Sequence, residues 1–466
     1  MLFRRTPRLN YFYCTFAIAT ALAGCSGRPT RSAGGQVGTI YRGEEPFFGA
    51  SKAHRYELSN GLKVLILEDH SSPTFSYHTW FDVGSLDEER GLTGLAHLFE
   101  HMMFKATSNR AEGIFDRTLE SAGVEGENAF TSRDYTAYVQ SLPSDKLELI
   151  MQLESDRMVN LIVNKAFLDK EREVVKNERR FRTENSPEGT MYETIYDMAF
   201  THHPYHWPVI GYEKDLDNAQ PQQCLDFYKN HYAPNNATVV IVGDVNPGHA
   251  VGLIEKYYGA LIPQPVRRYS GKDEPEQKGG RSKILHLSIP VEKVFAGYRV
   301  PGPRHADGSA LELLANLVGH TQSSRLYRRL VDGGLASAVD VSVDNGKGGG
   351  LFLITAFLQK GRRAQDALQT IEAEMWKIHR EGFTAEELRT ALNQYRFELF
   401  SGLESNSGKA RIMGHMEIEY GSVAKAVEDI NTMSKITVAD VNRVARRYLR
   451  TSQRSTVVAL PKGAGQ

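Results

Sequence analysis

Two stretches far apart in this chain follow one plan. Phe227-Tyr228-Lys229-Asn230-His231-Tyr232 leads to Thr238-Val239-Val240, and Val444-Ala445-Arg446-Arg447-Tyr448 leads to Thr456-Val457-Val458. Each runs helix pattern, Tyr, short polar loop, β-branched strand. A repeated unit of this kind has to bury its helices against its own strands. The 466 residues therefore divide into two α+β domains of roughly 200 residues each. The fold expected is two homologous domains, each an antiparallel sheet covered by helices, forming a clam-like cleft. Hydrophobic content of 41% and charged content of 24% are ordinary for a globular chain. The net charge of zero carries no basic excess, so no nucleic-acid partner is expected.

The turn residues place the boundaries. Ser59-Asn60-Gly61-Leu62 between Tyr56-Glu57-Leu58 and Val64-Leu65-Ile66-Leu67 is an Asn-Gly hairpin signal. Strands are expected at Phe75–Val83 and Tyr135–Ser141, helices over 143–185, and a closing strand at Ala237–Val242. A segment rich in Pro, Gly and Lys, with Pro263, Pro265, Gly271, Pro275, Gly279 and Gly280, reads as an interdomain linker at 263–282. The first domain is then 46–262 and the second 283–462. Gly346-Lys347-Gly348-Gly349-Gly350 lacks the Lys-Ser/Thr ending of a phosphate loop and reads as a hairpin turn.

Chemistry concentrates at His97-Leu98-Phe99-Glu100-His101. Helical spacing sets both imidazoles on one face with a carboxylate beside them. Leu92, Leu95, Ala96, Phe99, Met102 and Met103 form an apolar stripe on the other. Zinc takes imidazole nitrogen, and with an open coordination position it activates water for a nearby carboxylate base. The order H-x-x-E-H is the inverzincin signature. A chance surface cluster is the competing reading. Two His leave zinc one protein ligand short. In the charged helix pattern Lys170–Arg180, Glu171 and Glu178 are seven apart and share the face of Val174 and Val175. Arg172, Lys176, Arg179 and Arg180 point elsewhere. Carboxylates on an apolar face need a cation or donors; otherwise they are ordinary solvated charges.

These residues resemble the pitrilysin/insulinase family of zinc metallopeptidases, which includes the mitochondrial processing peptidase. The family pattern is H-x-x-E-H, 76 residues, then Glu, and His101 to Glu178 fits it. The resemblance implies one zinc held by His97, His101 and Glu178, with Glu100 as general base. Glu171 is implied as the second carboxylate that supports the site. Gly126-Glu127-Asn128-Ala129-Phe130-Thr131 and the residues to Tyr138 look like the family's edge strand, with Asn128 and Ala129 where substrate backbone is held. His203-Pro204-Tyr205-His206-Trp207-Pro208 followed by Gly211 resembles a further family segment. His202, His203 and His206 read as loop packing or a pocket wall rather than a second metal site.

The second copy departs from the pattern. Where the first has its His helix, it has Leu311–Gly319, without H-x-x-E-H. Self-sufficient family members carry an Arg and a Tyr in a run like Leu-Arg-x-x-x-Gly-Leu-x-Tyr, which bind substrate backbone and the developing oxyanion. The matching run, Leu330–Ser337, has Val331 and Ser337 at those places, with Arg328 and Arg329 out of register. Some relatives are heterodimers whose other subunit brings the pair. This chain reads as the zinc-bearing subunit, with a homologue supplying Arg and Tyr, or as a homodimer.

The N-terminus is not part of the fold. Arg4, Arg5 and Arg8 precede an apolar run, Tyr11 to Leu22, too short to span a bilayer comfortably. Residues 1–24 read as a signal peptide. Leu22-Ala23-Gly24-Cys25 resembles the bacterial lipobox, implying a lipidated Cys25, a tether at 25–45 and an outer-membrane anchor facing the periplasm. With Cys14 removed and Cys25 acylated, only Cys224 remains of the three cysteines, so no internal disulfide forms. The function expected is zinc-dependent endopeptidase action on peptides or unfolded polypeptides. The rival is a non-catalytic binding or assembly lipoprotein that kept the fold.

Overall fold

The computed structural model describes residues 38–271 and 274–463. The signal peptide, Cys25 and the tether up to residue 37 lie outside them. Among the described residues no helix is long and apolar enough to cross a membrane.

The first sheet has seven strands: β1 (Thr39–Pro46), β2 (Lys52–Leu58), β3 (Lys63–Glu68), β4 (Thr74–Phe81), β5 (Glu125–Thr131), β6 (Thr136–Pro143) and β7 (Ala237–Gly243). Their order is β1-β2-β3-β7-β4-β6-β5. The second has β8 (Arg281–Leu287), β9 (Lys293–Val300), β10 (Ala336–Gly346), β11 (Gly349–Leu358) and β12 (Arg454–Pro461), ordered β10-β11-β9-β12-β8. Read from the opposite end, the second order superimposes on β3-β7-β4-β6-β5. The duplication holds down to strand order. The sheets are mixed rather than antiparallel throughout, because β7 runs parallel to β3 and β12 parallel to β8. In each half the last strand returns through a helix, which is the connection a parallel pair requires.

Two boundaries differ from the sequence reading. β1 occupies residues assigned to the tether. It pairs with β2, and Glu45 accepts hydrogen bonds from Arg55, Ser422 and the Ala424 amide. Seven more residues therefore belong to the fold, because alternating charges find cross-strand partners there. The stretch 261–280 has no regular structure among its described residues, and β8 begins at Arg281, inside the expected linker. The Asn-Gly turn and the Gly346–Gly350 turn both form hairpins as expected. Gly61 has φ +85°, the left-handed region glycine enters without penalty.

The halves are joined by exchanged helices. Pro187–Ala199, from the first half, packs Met191, Ile195 and Tyr196 against Phe295, Leu351, Leu353 and Val457 of the second sheet. Asn406–Tyr420, from the second half, packs Met413 and Met416 in one core with Leu65, Leu67, Trp80, Val240 and Val242. The alternate residues of those strands, Val64, Ile66, Tyr77, Val239 and Ile241, face the first half's own helices. The first sheet is thus buried on both faces, one of them by the other half. Both exchanged helices start with Ser-x-x-Gly, where Ser186 caps the Gly189 amide and Ser405 the Gly408 amide.

Candidate metal centre

The His helix, Leu95–Met102, is short and held from all sides. Leu95, Ala96, Phe99, Met102 and Met103 are buried as the apolar stripe required, but so are Leu98 and His97, while Leu92 is only half-buried. The helix is a core element with one polar opening rather than an amphipathic surface helix. Its start is clamped. Glu88 accepts from the Gly94 amide at 2.8 Å and the Ala96 amide at 2.9 Å. The hydroxyl of Thr93 donates to Asp215. Gly94 sits at φ +91° against Gly211, and a Cβ on Gly211 would approach the Gly94 Cα to 2.4 Å. That contact accounts for the glycine noted after His203–Pro208. Tyr232 and Tyr138 donate to the carbonyls of Ala96 and Phe99.

The Glu helix, Lys165–Arg179, lies beside it, capped by Asn164, and continues into a widened turn at Arg180–Glu184. Its seven-residue spacing brings both carboxylates to the imidazoles. Glu178 Oε2 lies 3.1 Å from His101 Nε2 and 3.5 Å from His97 Nε2. One ligand atom from each of the three residues falls within 4.8 Å of the others. Glu171 Oε1 is 3.1 Å from His101 Nδ1, and its Oε2 is 2.9 Å from Lys105 Nζ. Glu171 therefore fixes the ring of His101 from behind, as a supporting carboxylate does for a metal-bound imidazole. Glu100 points to β5, where Thr131 Oγ1 donates to it at 2.6 Å.

A divalent cation fits these residues. Glu178 Oε2 is buried yet has no well-directed hydrogen bond, although two imidazole nitrogens converge on it. Burial opposes charge on His101, but Glu171 and Glu178 outweigh it and lift the ring to about 9. The same two carboxylates would stabilise a dication between the rings, which would displace that proton. Burial pushes His97 down to about 4, so it stands as a neutral ligand. Burial would raise Glu178, but the adjoining His101, His97 and Arg182 keep it below its ordinary value. Two imidazoles and one carboxylate are the donor set of a catalytic zinc, which would supply Lewis acidity and an activated water. Burial raises Glu100, partly offset by Thr131. A carboxylate tuned upward toward neutrality is suited to accept and return a proton.

The remaining expected residues are placed as follows. Asn128 and Ala129 lie on β5, an edge strand whose only partner among the described residues is β6. Asn128 is exposed, and its side chain accepts from the Ala129 amide. His203 accepts from the Tyr205 amide, Tyr205 donates to Asp134, and Trp207 to the Ser85 carbonyl, so this segment is loop packing. Val331 packs on the second half's core, and Ser337 bonds the Phe357 carbonyl. The two are six residues apart where the family's Arg and Tyr are seven, so counted from Gly334, Leu335 and Ser337 the Arg place falls on the buried Leu330. Arg325, six residues before Val331, is engaged by Glu387 and the Gly382 carbonyl. Sequence reasoning missed Thr131, Lys105 and Glu88. Their roles depend on contacts across loops that no periodicity encodes.

Residues 63–212 match Insulinase (Peptidase family M16) and residues 218–395 match the Peptidase M16 inactive domain. Zinc protease PqqE of Helicobacter pylori is 31% identical over 414 residues, covering 87% of this chain and 92% of the relative. The chain belongs to the insulinase family of peptidases. The crystal structure of a protease from Helicobacter pylori, 31% identical, superimposes with a TM-score of 0.84 over 88% of this chain and 100% of that one. The periplasmic protease PqqL from Escherichia coli shares the fold at 22% identity and a TM-score of 0.71. The match covers 88% of this chain but 47% of PqqL. The insulinase-family matches agree with the resemblance read from His97 to Glu178. They name zinc for the relative, and the donor set here is of that type.

Proposed function

We propose that this protein is a zinc-dependent endopeptidase acting on peptides or unfolded polypeptides. The observation that carries the reading is the convergence of His97, His101 and Glu178, with Glu100 beside them on the same helix and hydrogen-bonded to the edge strand. Zinc held by His97, His101 and Glu178 would supply Lewis acidity and an activated water. Glu100 is placed to accept a proton from the attacking water and return it to the leaving amine. An extended substrate lies along β5 at Asn128 and Ala129 by strand addition. Val331 and Ser337 provide neither a guanidinium nor a phenol, so a homologous subunit brings the missing pair, or a second copy completes the enclosure. The PqqL chain, about twice the length matched here, supports a paired arrangement. Cys25 anchors the protein by lipid to the bacterial outer membrane, facing the periplasm.

The test is cleavage of an internally quenched peptide by the zinc-loaded chain. Glu100→Gln should keep one zinc and lose turnover by at least about a hundredfold, because an amide cannot accept the proton. A second reading, a binding lipoprotein without catalysis, is favoured by Val331 and Ser337. It predicts no Glu100-dependent cleavage, alone or with a homologous partner. Mass spectrometry of the membrane fraction should find the mature N-terminus at acylated Cys25.

A further inference from the structure

We infer that Arg182 supplies, from the zinc-bearing half itself, a cationic group that binds the substrate's peptide carbonyl beside the metal centre. The inference rests on the peptidase reading above. The Glu helix ends in three arginines, and two are consumed. Arg179 is buried and donates to Glu193 and the Gly211 carbonyl. Arg180 bonds Asn177 and Glu213. Arg182 turns the other way. Its Nε lies 2.9 Å from Glu178 Oε1, and its side chain is 69% exposed. The other oxygen of the same carboxylate is the one facing His97 and His101. The guanidinium is thus one carboxylate's width from the metal donors. Its charge acts on His97 and Glu100 as well as on Glu178.

The backbone sets this direction. The chain leaves the α-helix through the widened turn Arg180–Glu184, a geometry common at functional sites. The start of the exchanged helix presses on that turn. A Cβ at Gly189 would come within 2.0 Å of the Arg182 carbonyl, so only glycine lets the two segments meet. An exposed arginine making one contact to a metal ligand keeps spare N–H donors for a peptide carbonyl. No cation of the second half takes this part at the places where relatives carry Arg and Tyr. Leu330 is in the core with Val331 packed against it, Ser337 is bonded to Phe357, and Arg325 is locked to Glu387. A second copy of this chain would bring the same residues. Counting back from the shared Ser-x-x-Gly caps, the second half has Ser401 where the first has Arg182, so the cation belongs to the zinc-bearing copy alone.

The experiment compares Glu100→Gln with the double variant Glu100→Gln/Arg182→Ala, both zinc-loaded full-length chains, binding an internally quenched peptide of mixed sequence. Zinc affinity is measured alongside by chelator competition. Arg182→Ala should weaken peptide binding about ten- to hundredfold, the range for a charged hydrogen bond, with zinc affinity changed less than threefold. Arg182→Lys should keep part of the binding. In the active background, Arg182→Ala should lower kcat/KM similarly and recover part of it with added guanidinium ion. If peptide affinity is unchanged, the inference falls and the peptidase reading stands. If zinc affinity falls with peptide affinity, Arg182 only positions Glu178, and the inference also falls. If Glu100→Gln binds no peptide at all, the peptidase reading fails and takes the inference with it.

Discussion

The two halves share a strand order, a returning helix and a Ser-x-x-Gly cap, yet at one position the first gathers candidate metal ligands and the second buried leucines. In the first half, the short helix beside the sheet carries His97, Glu100 and His101. Its counterpart, Gly308–Ala315, carries Leu311, Leu313 and Leu314, all fully buried. Counting back from the caps, Glu171 and Glu178 correspond to Thr390 and Phe397. Phe397 is 67% exposed. The same scaffold thus tolerates a ligand set or none. What separates them is a handful of side chains, each with its own supporting contacts. Glu88 at the helix start, Thr131 on the edge strand and Lys105 behind Glu171 are as much a part of the first site as the ligands.

The comparison breaks most sharply at the metal. His101→Ala should reduce zinc from one per chain to near zero and abolish turnover. Phe397→Ala should leave both intact, as metal analysis and peptide cleavage will show. If Phe397→Ala also strips zinc, the halves are not independent sites.

A smaller effect is expected behind the ligands. Glu171→Gln removes the carboxylate that holds His101 and should weaken zinc binding about ten- to hundredfold. Chelator competition measures it. An unchanged affinity would mean that Lys105, not the metal helix, is its real partner.

The exchanged helices give the next test. Gly414 packs on Trp80, and a Cβ there would lie 2.2 Å from the indole. Gly414→Ala should cost about 1–3 kcal/mol of stability. Gly252→Ala, at a helical glycine with nothing within 4 Å, should be neutral or slightly stabilising. Denaturant unfolding of both variants tests whether the exchange holds the halves together.

A pH-dependent test separates the two exchanged helices. His78 on β4 and His415 on Asn406–Tyr420 are buried beside Arg411. Burial first, and then that charge, push each to about 3. The unfolded chain takes up these protons near pH 6.5, and the folded chain resists until about 3. Stability therefore falls as pH drops through that window, by up to roughly 1.4 kcal/mol per pH unit for each ring. Pro187–Ala199 carries no histidine. Hydrogen exchange at pH 5 should loosen Asn406–Tyr420 before Pro187–Ala199. Replacing His415 with Asn should reduce the difference.

Much of this was legible in the residues. Ligand identities at i, i+4 and a distant Glu follow from helical spacing, which is local geometry. The second copy showed through its Tyr, loop and β-branched run, because returning strands need that pattern wherever they sit. The Gly346–Gly350 and Asn-Gly turns were legible because glycine marks backbone no other residue adopts cheaply.

Other features were decided only by tertiary structure. The tether reading overran β1, since its charged residues look solvated until Arg55, Ser422 and Ala424 supply partners. The helix exchange cannot be read from periodicity. An amphipathic helix states that it has an apolar face, but not which sheet will cover it. The burial of His97 and the turn of Arg182 toward Glu178 depend on long-range packing around Gly189 and Gly211. Spacing along one chain determined which groups this protein could bring to a metal. Contacts between segments remote in sequence decided how they are held, because orientation and desolvation are properties of the packed whole.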